Sequence, residues 1–390
     1  VIWRHVASNA VTFLVLTLFL LGGVILWGRG EYNAAGPLED SICLQVPRGS
    51  TIQSVSRDLE AQNAIRNGAI FRMGADYQEL ADDLKAGSFL ISEAASMSDI
   101  VATITGDGRS TCGTQVRYLV RVADLLVRVR ALDPQTQGFI TTAEFRPAEE
   151  EAPTAYSAAL DEVGVELSVS LAPGVTSWQV VESLKAIDVL EGDIAEVPAE
   201  GALAPESYEV RPGDDRAELV AQMEELQLER ISRVWAERDP DLPLETPEEL
   251  MTLASIVEKE TGNAEERGVV ASVFVNRLRQ GMRLQTDPTV IYGVTRGQGI
   301  LGRGLRQSEL RARTPWNTYV IEGLPPTPIA NPGLASLEAV ANPPDTDFVF
   351  FVAKTLDPAD GHNFAVTLDE HNRNVAEYRR LEAERANSNN

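Results

Sequence analysis

The sequence predicts an α+β protein. It has a single N-terminal transmembrane helix, a small α/β module over residues 40–106, and a mixed α+β domain over residues 164–382. Three observations predict it. Residues 10–28, AVTFLVLTLFLLGGVILWG, contain no charge. A strand–turn–helix pattern with Pro and Gly in the turn recurs along the chain. Residues 246–262, TPEELMTLASIVEKETG, have a marked start, a marked stop and helical periodicity between them.

The apolar run comes first. At about 1.5 Å per residue it nearly crosses a hydrocarbon core of about 30 Å. Trp3 and Trp27 flank it, where interfacial aromatics are favoured. A cleaved signal peptide is the alternative, but the run exceeds the usual apolar region of about 7–15 residues. Asn33-Ala34-Ala35 is a weak cleavage site. Arg4 before the span favours a cytoplasmic head over residues 1–9. Residues 29–39 then form a Gly-rich polar linker, and the remainder lies outside the cytoplasmic membrane.

In the module, Ile42–Val46 reads as a strand. Pro47-Arg48-Gly49-Ser50-Thr51 is the turn, and Ile52, Val55 and Leu59 form one helical face. A helical segment follows over Gly68–Lys85. A looser copy of the pattern runs from Phe89 to Met97, then Ile100 and Ile104. The pattern returns at Leu171–Thr176 and at Val210–Asp214. Pro and Gly build each turn, and Ser, Thr or Asp caps each helix. Residues 107–163 differ in character and read as an insertion of unknown fold. They begin with a strand-forming stretch and include PAEEEAPTA, a loop or disordered segment. Ala217–Glu237 is a further helix. Residues 383–390 are a flexible polar tail.

The 390 residues carry 58 acidic and 34 basic side chains, a formal charge of −24. That balance excludes nucleic acid and makes anionic membrane surfaces poor partners. The two cysteines, Cys43 and Cys112, flank one module, so an oxidising compartment permits a disulfide; two free thiols fit the sequence equally. Neither spacing suggests a metal site, and no cofactor is implied.

The stretch 246–262 carries the chemistry. Thr246 is the N-cap, Pro247 suits the first helical position, and Glu249 completes a capping box. Gly262 is the stop. At about 100° per residue, Leu253, Ile256 and Val257 share a face, and Glu260 falls in its middle. Glu258 lies to the side, near Ala254 and Met251. Desolvation raises a carboxyl pKa, which suits a general acid near neutral pH. A half-exposed glutamate paired with Arg267 fits the same position.

Glu265–Gln280 forms the next helix, with Val270, Val273, Phe274 and Leu278 on one face and Asn276 near its end. Residues 281–293, GMRLQTDPTVIYG, read as a loop. Gln285, Thr286, Asp287 and Thr289 there can bond a sugar; an Asx-type turn explains the same residues. Residues 314–333 are Pro- and Gly-rich and form an ordered loop. Trp316 and Tyr319 can stack on sugar rings or pack in the core, and Asn317 supplies hydrogen bonds. After a buried strand over Phe348–Val352 come His362 and His371. No partner residue supports a metal pair there, and a structural or substrate-contacting role is expected.

The chain resembles the endolytic murein transglycosylases, the MltG-like family. The resemblance rests on ASIVEKET, then LQTDPTVIYG, then the GLPP and NPG turns, then EHN. It implies a single-pass inner-membrane protein with a LysM-like module and a periplasmic catalytic domain. The implied reaction cleaves the MurNAc–GlcNAc bond within nascent glycan strands. The implied catalytic residue is Glu260, first acid and then base, leaving a 1,6-anhydro end. Asn276, Gln285, Thr286, Asp287, Thr289 and Asn317 are the expected substrate contacts. Glycan polymerases of the cell-wall machinery are the expected protein partners.

Three rivals remain at this level. A lysozyme-like hydrolase would use Asp287 as a second carboxylate. A non-catalytic peptidoglycan-binding anchor would keep only the small module. A pyridoxal-phosphate lyase would need Lys259 or Lys354 as its Schiff base, yet no Gly-rich phosphate loop accompanies either.

Overall fold

The computed structural model describes residues 2–106 and 111–388. Val1, residues 107–110 and residues 389–390, which belong to the expected head, insertion and tail, lie outside the described residues. The chain divides into two compact units. One comprises Val1–Val116, Arg128–Phe145 and Ala152–Glu166; the other comprises Arg117–Val127, Arg146–Glu151 and Leu167–Asn390. Together they make an α+β protein.

The first unit opens with helix α1 (Ile2–Asn33). From Thr12 to Asn33 it is long and apolar enough to cross a membrane. Its large apolar side chains from Phe13 to Trp27 are exposed. Its last turn is different: Tyr32 is buried, and its ring lies where a Cβ on Gly74 would fall. Only glycine permits that approach.

The module follows as β1 (Ile42–Val46), α2 (Ile52–Ala61), α3 (Gly68–Tyr77), β2 (Gly87–Ile91) and α4 (Met97–Thr105). β1 and β2 pair antiparallel, Ile42 opposite Ile91 and Val46 opposite Gly87. Thr51 with Ser54 and Ser96 with Asp99 form capping boxes, and Asn67 caps α3. Leu44, Leu59, Phe71, Phe89, Ile100 and Ile104 fill the core. The helix expected to reach Lys85 ends at Tyr77, because Glu79 takes a left-handed conformation with φ of 58°. Cys43 and Cys112 form a disulfide with a Cα–Cα distance of 5.6 Å.

The region after residue 110 is ordered. It forms β3 (Thr114–Val120), β4 (Leu125–Asp133), β5 (Gly138–Phe145) and the short α5 (Thr154–Leu160). β3 alternates buried and half-buried positions, the period of a strand with one covered face. The boundary between the two units runs through this region.

In the second unit, β6 (Glu166–Leu171) and β7 (Ser207–Val210) pair antiparallel, Leu167 opposite Val210. Each leads through a Pro-Gly turn to a helix: α6 (Ser177–Lys185) and α7 (Arg216–Ala236). The turn glycines, Gly174 and Gly213, have φ of 81° and 91°, and Gly49 of the module has φ of 80°. The recurring sequence pattern is thus one backbone device used three times.

The remaining elements are α8 (Pro247–Glu260), α9 (Arg267–Arg279), α10 (Asp287–Thr295), α11 (Gln307–Arg311), α12 (Leu334–Ala341), β8 (Phe350–Ala353), β9 (His362–Ala365) and α13 (Leu368–Ser388). β8 and β9 pair antiparallel, with Ala353 opposite His362. The segment 383–388, read above as a flexible tail, is helical. Helix α8 sits at the centre and packs against α7, α9, α10 and α12. Leu250, Leu253, Ala254, Ile256 and Val257 are completely buried along it. Each larger aliphatic side chain contributes about 1.5–3 kcal/mol by leaving water.

Candidate active site

Helix α8 delivers three consecutive charged residues from its last turn. Thr246 accepts a hydrogen bond from Glu249 N at 3.2 Å and starts the helix. Glu249 does not close the box on Thr246; its carboxylate accepts from Glu245 N at 2.6 Å. The helix ends at Glu260, two residues before the expected Gly262 stop. Thr261 leaves helical geometry, with φ of −140°, and donates its hydroxyl to Glu266 Oε1 at 2.7 Å.

Glu258, Lys259 and Glu260 then point to different surroundings. Glu258 Oε2 accepts from Gly333 N at 3.0 Å and Ser336 Oγ at 2.7 Å. It thereby satisfies the amino end of α12, where negative charge is favoured. Lys259 donates to Gly174 O at 3.1 Å. Burial pulls its pKa down, against the opposing charges of Glu258 and Glu200.

Glu260 is half-buried, and its Oε1 accepts a hydrogen bond from Thr286 Oγ1. Burial raises its pKa. The Thr286 hydrogen bond and the charges of His362 and Arg277 act the other way, and Asp287 raises it further. The net direction is up, as a proton donor requires. The ion pair with Arg267 does not form among the described residues.

The residues expected around Glu260 fall into three groups. Thr286 and Thr289 join Thr318 in a buried hydroxyl network. Thr286 N donates to Thr318 Oγ1 at 3.1 Å, Thr289 and Thr318 hydroxyls lie 2.8 Å apart, and Thr289 Oγ1 donates to Thr286 O at 2.8 Å. Gln285 and Asp287 are exposed. Gln285 adopts φ of 50° and ties its backbone N–H to Thr318 O at 3.1 Å. Asp287 accepts from Tyr319 Oη at 2.7 Å. The stretch 281–293, expected as a loop, becomes helical from Asp287, because Pro288 suits a first turn and Thr286 takes the N-cap position.

Asn276 and Asn317 form the third group, and they face inward. Asn276 Nδ2 donates to Thr346 O at 2.6 Å and Phe348 O at 3.0 Å. Asn317 Nδ2 donates to Glu309 O, Leu310 O and Ala312 O, while its Oδ1 accepts from Tyr319 N. Neither amide has a donor left for a sugar; both hold backbone in place.

Two groups near Glu260 escaped the sequence reading. Glu266 accepts from His362 N at 2.8 Å and bonds His362 Nδ1 at 2.7 Å. Burial pushes Glu266 up, but hydrogen bonds from Thr261 and His362 outweigh it and hold the carboxyl below its ordinary range. A Cβ on Gly361 would strike Glu266 Oε2, which explains that glycine. Arg277 is buried, with its guanidinium donating to Val349 O at 2.7 Å and to Leu284 O. Tyr319 is pushed up by burial and then by Asp287. No cheap sequence signal marks the Glu266–His362 pair, whose members lie 96 residues apart.

The other named residues have different duties. Trp316 packs against Tyr292, donates to Thr327 Oγ1 at 3.0 Å and lies under Arg296. His371 stacks on Phe350 with ring centroids 5.1 Å apart. Lys354 is exposed.

Comparison with known proteins places this geometry in a family. Two strains of Streptococcus pneumoniae hold relatives named endolytic murein transglycosylase, 27% identical over 388 residues, covering 96% of this chain. The chain spans 66% of the length of those relatives. A Bacillus subtilis relative of the same name is 25% identical over 363 residues, covering 92% of this chain and 91% of its own. A solved yceG-like protein from Listeria monocytogenes is 24% identical with a TM-score of 0.45, covering 86% of this chain and 99% of that one. The model of the YceG-like family matches residues 44–377, and the chain belongs to that family.

Proposed function

We propose that the protein is a membrane-anchored endolytic lytic transglycosylase that cuts peptidoglycan glycan strands. One observation carries the reading: Glu260, with a raised pKa, is held by Thr286 at the end of a packed helix. The name shared by the streptococcal and Bacillus relatives supports the same substrate class. In this reading protonated Glu260 donates to the oxygen between MurNAc C1 and the next GlcNAc. That C–O bond breaks and the leaving sugar keeps the proton. The carboxylate then takes the proton from the MurNAc C6 hydroxyl as O6 bonds to C1. The strand ends in 1,6-anhydro-MurNAc and Glu260 is protonated again. One carboxyl serves as acid and then base, with no water to activate.

Gln285 and Asp287 are the exposed side chains beside Thr286 and are the proposed sugar contacts. Thr286 holds Glu260, and Thr289, Asn276 and Asn317 position the surrounding backbone. In the same proposal α1 crosses the inner membrane with its amino end in the cytoplasm. The catalytic domain then lies in the periplasm, residues 40–106 act as a LysM-like glycan-binding module, and glycan polymerases are neighbours. Exposed Asp287, whose charge acts on Glu260, favours a second reading as a hydrolase with two carboxylates. Mass spectrometry of products from intact strands separates the two. Anhydro-MurNAc at the cut supports the lyase; a reducing MurNAc end there, with a free GlcNAc hydroxyl on the other fragment, overturns it in favour of hydrolysis.

A further inference from the structure

Residues 296–313, RGQGILGRGLRQSELRAR, reverse the sign of the chain. They hold five arginines and one acid, Glu309, in a protein of net charge −24. Two of the arginines are engaged. Arg296 lies over the Trp316 ring at 4.0 Å, and Arg303 pairs with Glu309 at 2.5 Å. Arg311 and Arg313 are exposed and make no hydrogen bond or ion pair among the described residues. They flank Ala312, whose carbonyl is fixed by Asn317 Nδ2 at 2.7 Å. Asn317 adjoins Thr318, Thr318 Oγ1 accepts from Thr286 N at 3.1 Å, and Thr286 donates to Glu260. A short run of chain and hydrogen bonds therefore ties this cationic arm to the catalytic carboxyl.

In a peptide-bearing strand the lactyl carboxyl of each MurNAc is spent in the amide to its stem peptide, so the sugars themselves offer these guanidinium groups no ionic partner. The anions of such a strand are the carboxylates of its stem peptides. We propose that Arg311 and Arg313 form a subsite for stem-peptide carboxylates beside the cleavage point, an inference that rests on the peptidoglycan reading above. Guanidinium forks match carboxylates in a paired geometry. The local positive charge also offsets the repulsion that a net acidic protein exerts on an anionic strand. An anionic lipid surface is the competing ligand. It is disfavoured because the arm is fastened to the loop that holds Glu260.

The test is a binding measurement on the full chain in neutral detergent with Glu260→Gln, so that strands stay intact. Labelled uncrosslinked strands with stem peptides are compared with the same strands whose peptide carboxylates have been converted to methyl amides. Strands with free carboxylates are expected to bind about ten-fold tighter, the effect of two rim charge pairs. Arg311→Glu with Arg313→Glu should remove that difference while binding to the amidated strands is unchanged, and Arg→Ala at both should fall between. Equal binding of the two strand types, or an unchanged preference in the reversed variant, overturns the subsite. So does a reversed variant that loses only binding to phosphatidylglycerol vesicles. Cleavage by the wild type is assayed separately. Its absence would sink the enzymatic reading, while carboxylate-dependent binding lost on charge reversal would still support the subsite.

Discussion

Thr286 donates its hydroxyl hydrogen to Glu260 Oε1, joining the N-cap of one helix to the last residue of another. The bond favours the carboxylate, whereas burial favours the acid, and burial prevails. Thr286 thus restrains a pKa that would otherwise climb further, and in the proposed reaction it would orient the carboxyl that gives up the proton.

Thr286→Val tests that restraint. In the proposed reaction the glutamate must begin protonated, so kcat/KM should fall as pH rises through its pKa. Without the hydroxyl the pKa rises, and this alkaline limb should move to higher pH. Loss of orientation should also lower kcat by about 10- to 100-fold. A pH–rate profile with an unmoved alkaline limb would contradict the role.

Stability carries the same signature. A carboxyl whose folded pKa is raised holds its proton more tightly in the native state. Its contribution is therefore present below the unfolded value, near 4.5, and is lost as pH climbs toward the folded value. Glu260→Gln cannot ionise and escapes that loss. Thermal unfolding should give matching Tm values for variant and wild type at pH 4 and a higher Tm for the variant at pH 8. A lower variant Tm at pH 8 would mean the buried charge is stabilised rather than strained.

Glu266 has the opposite sign. Its folded pKa is lowered, so its contribution is present above about 4.5 and disappears as pH falls through the folded value. Glu266→Ala strands the His362 backbone N–H, the His362 ring and the Thr261 hydroxyl. Denaturant unfolding at pH 7 should show a loss of about 2–3 kcal/mol, shrinking at pH 3. A change within about 0.5 kcal/mol at pH 7 would place the residue among ordinary surface positions.

What the sequence made legible was local. The face shared by Leu253, Ile256, Val257 and Glu260 follows from helical spacing alone, and the three Pro-Gly turns follow from residue type. Contacts between distant segments were illegible. Asn276 and Asn317 look like ligand-binding amides until their donors are found on carbonyls of Thr346, Phe348 and Ala312. Asp287-Pro288 resembles a turn, yet the same Pro opens a helix once Thr286 is anchored to Thr318. The Glu266–His362 pair needs both α9 and β9 in place before either residue looks special.

The most direct measurement is the cleavage rate of Glu260→Gln on uncrosslinked glycan strands, with products read by mass spectrometry. If this carboxyl moves both protons, the folded variant loses at least about 10²- to 10⁴-fold in rate and releases no anhydro-ended fragments above background. A variant that releases them at the wild-type rate would place the proton transfers on another residue.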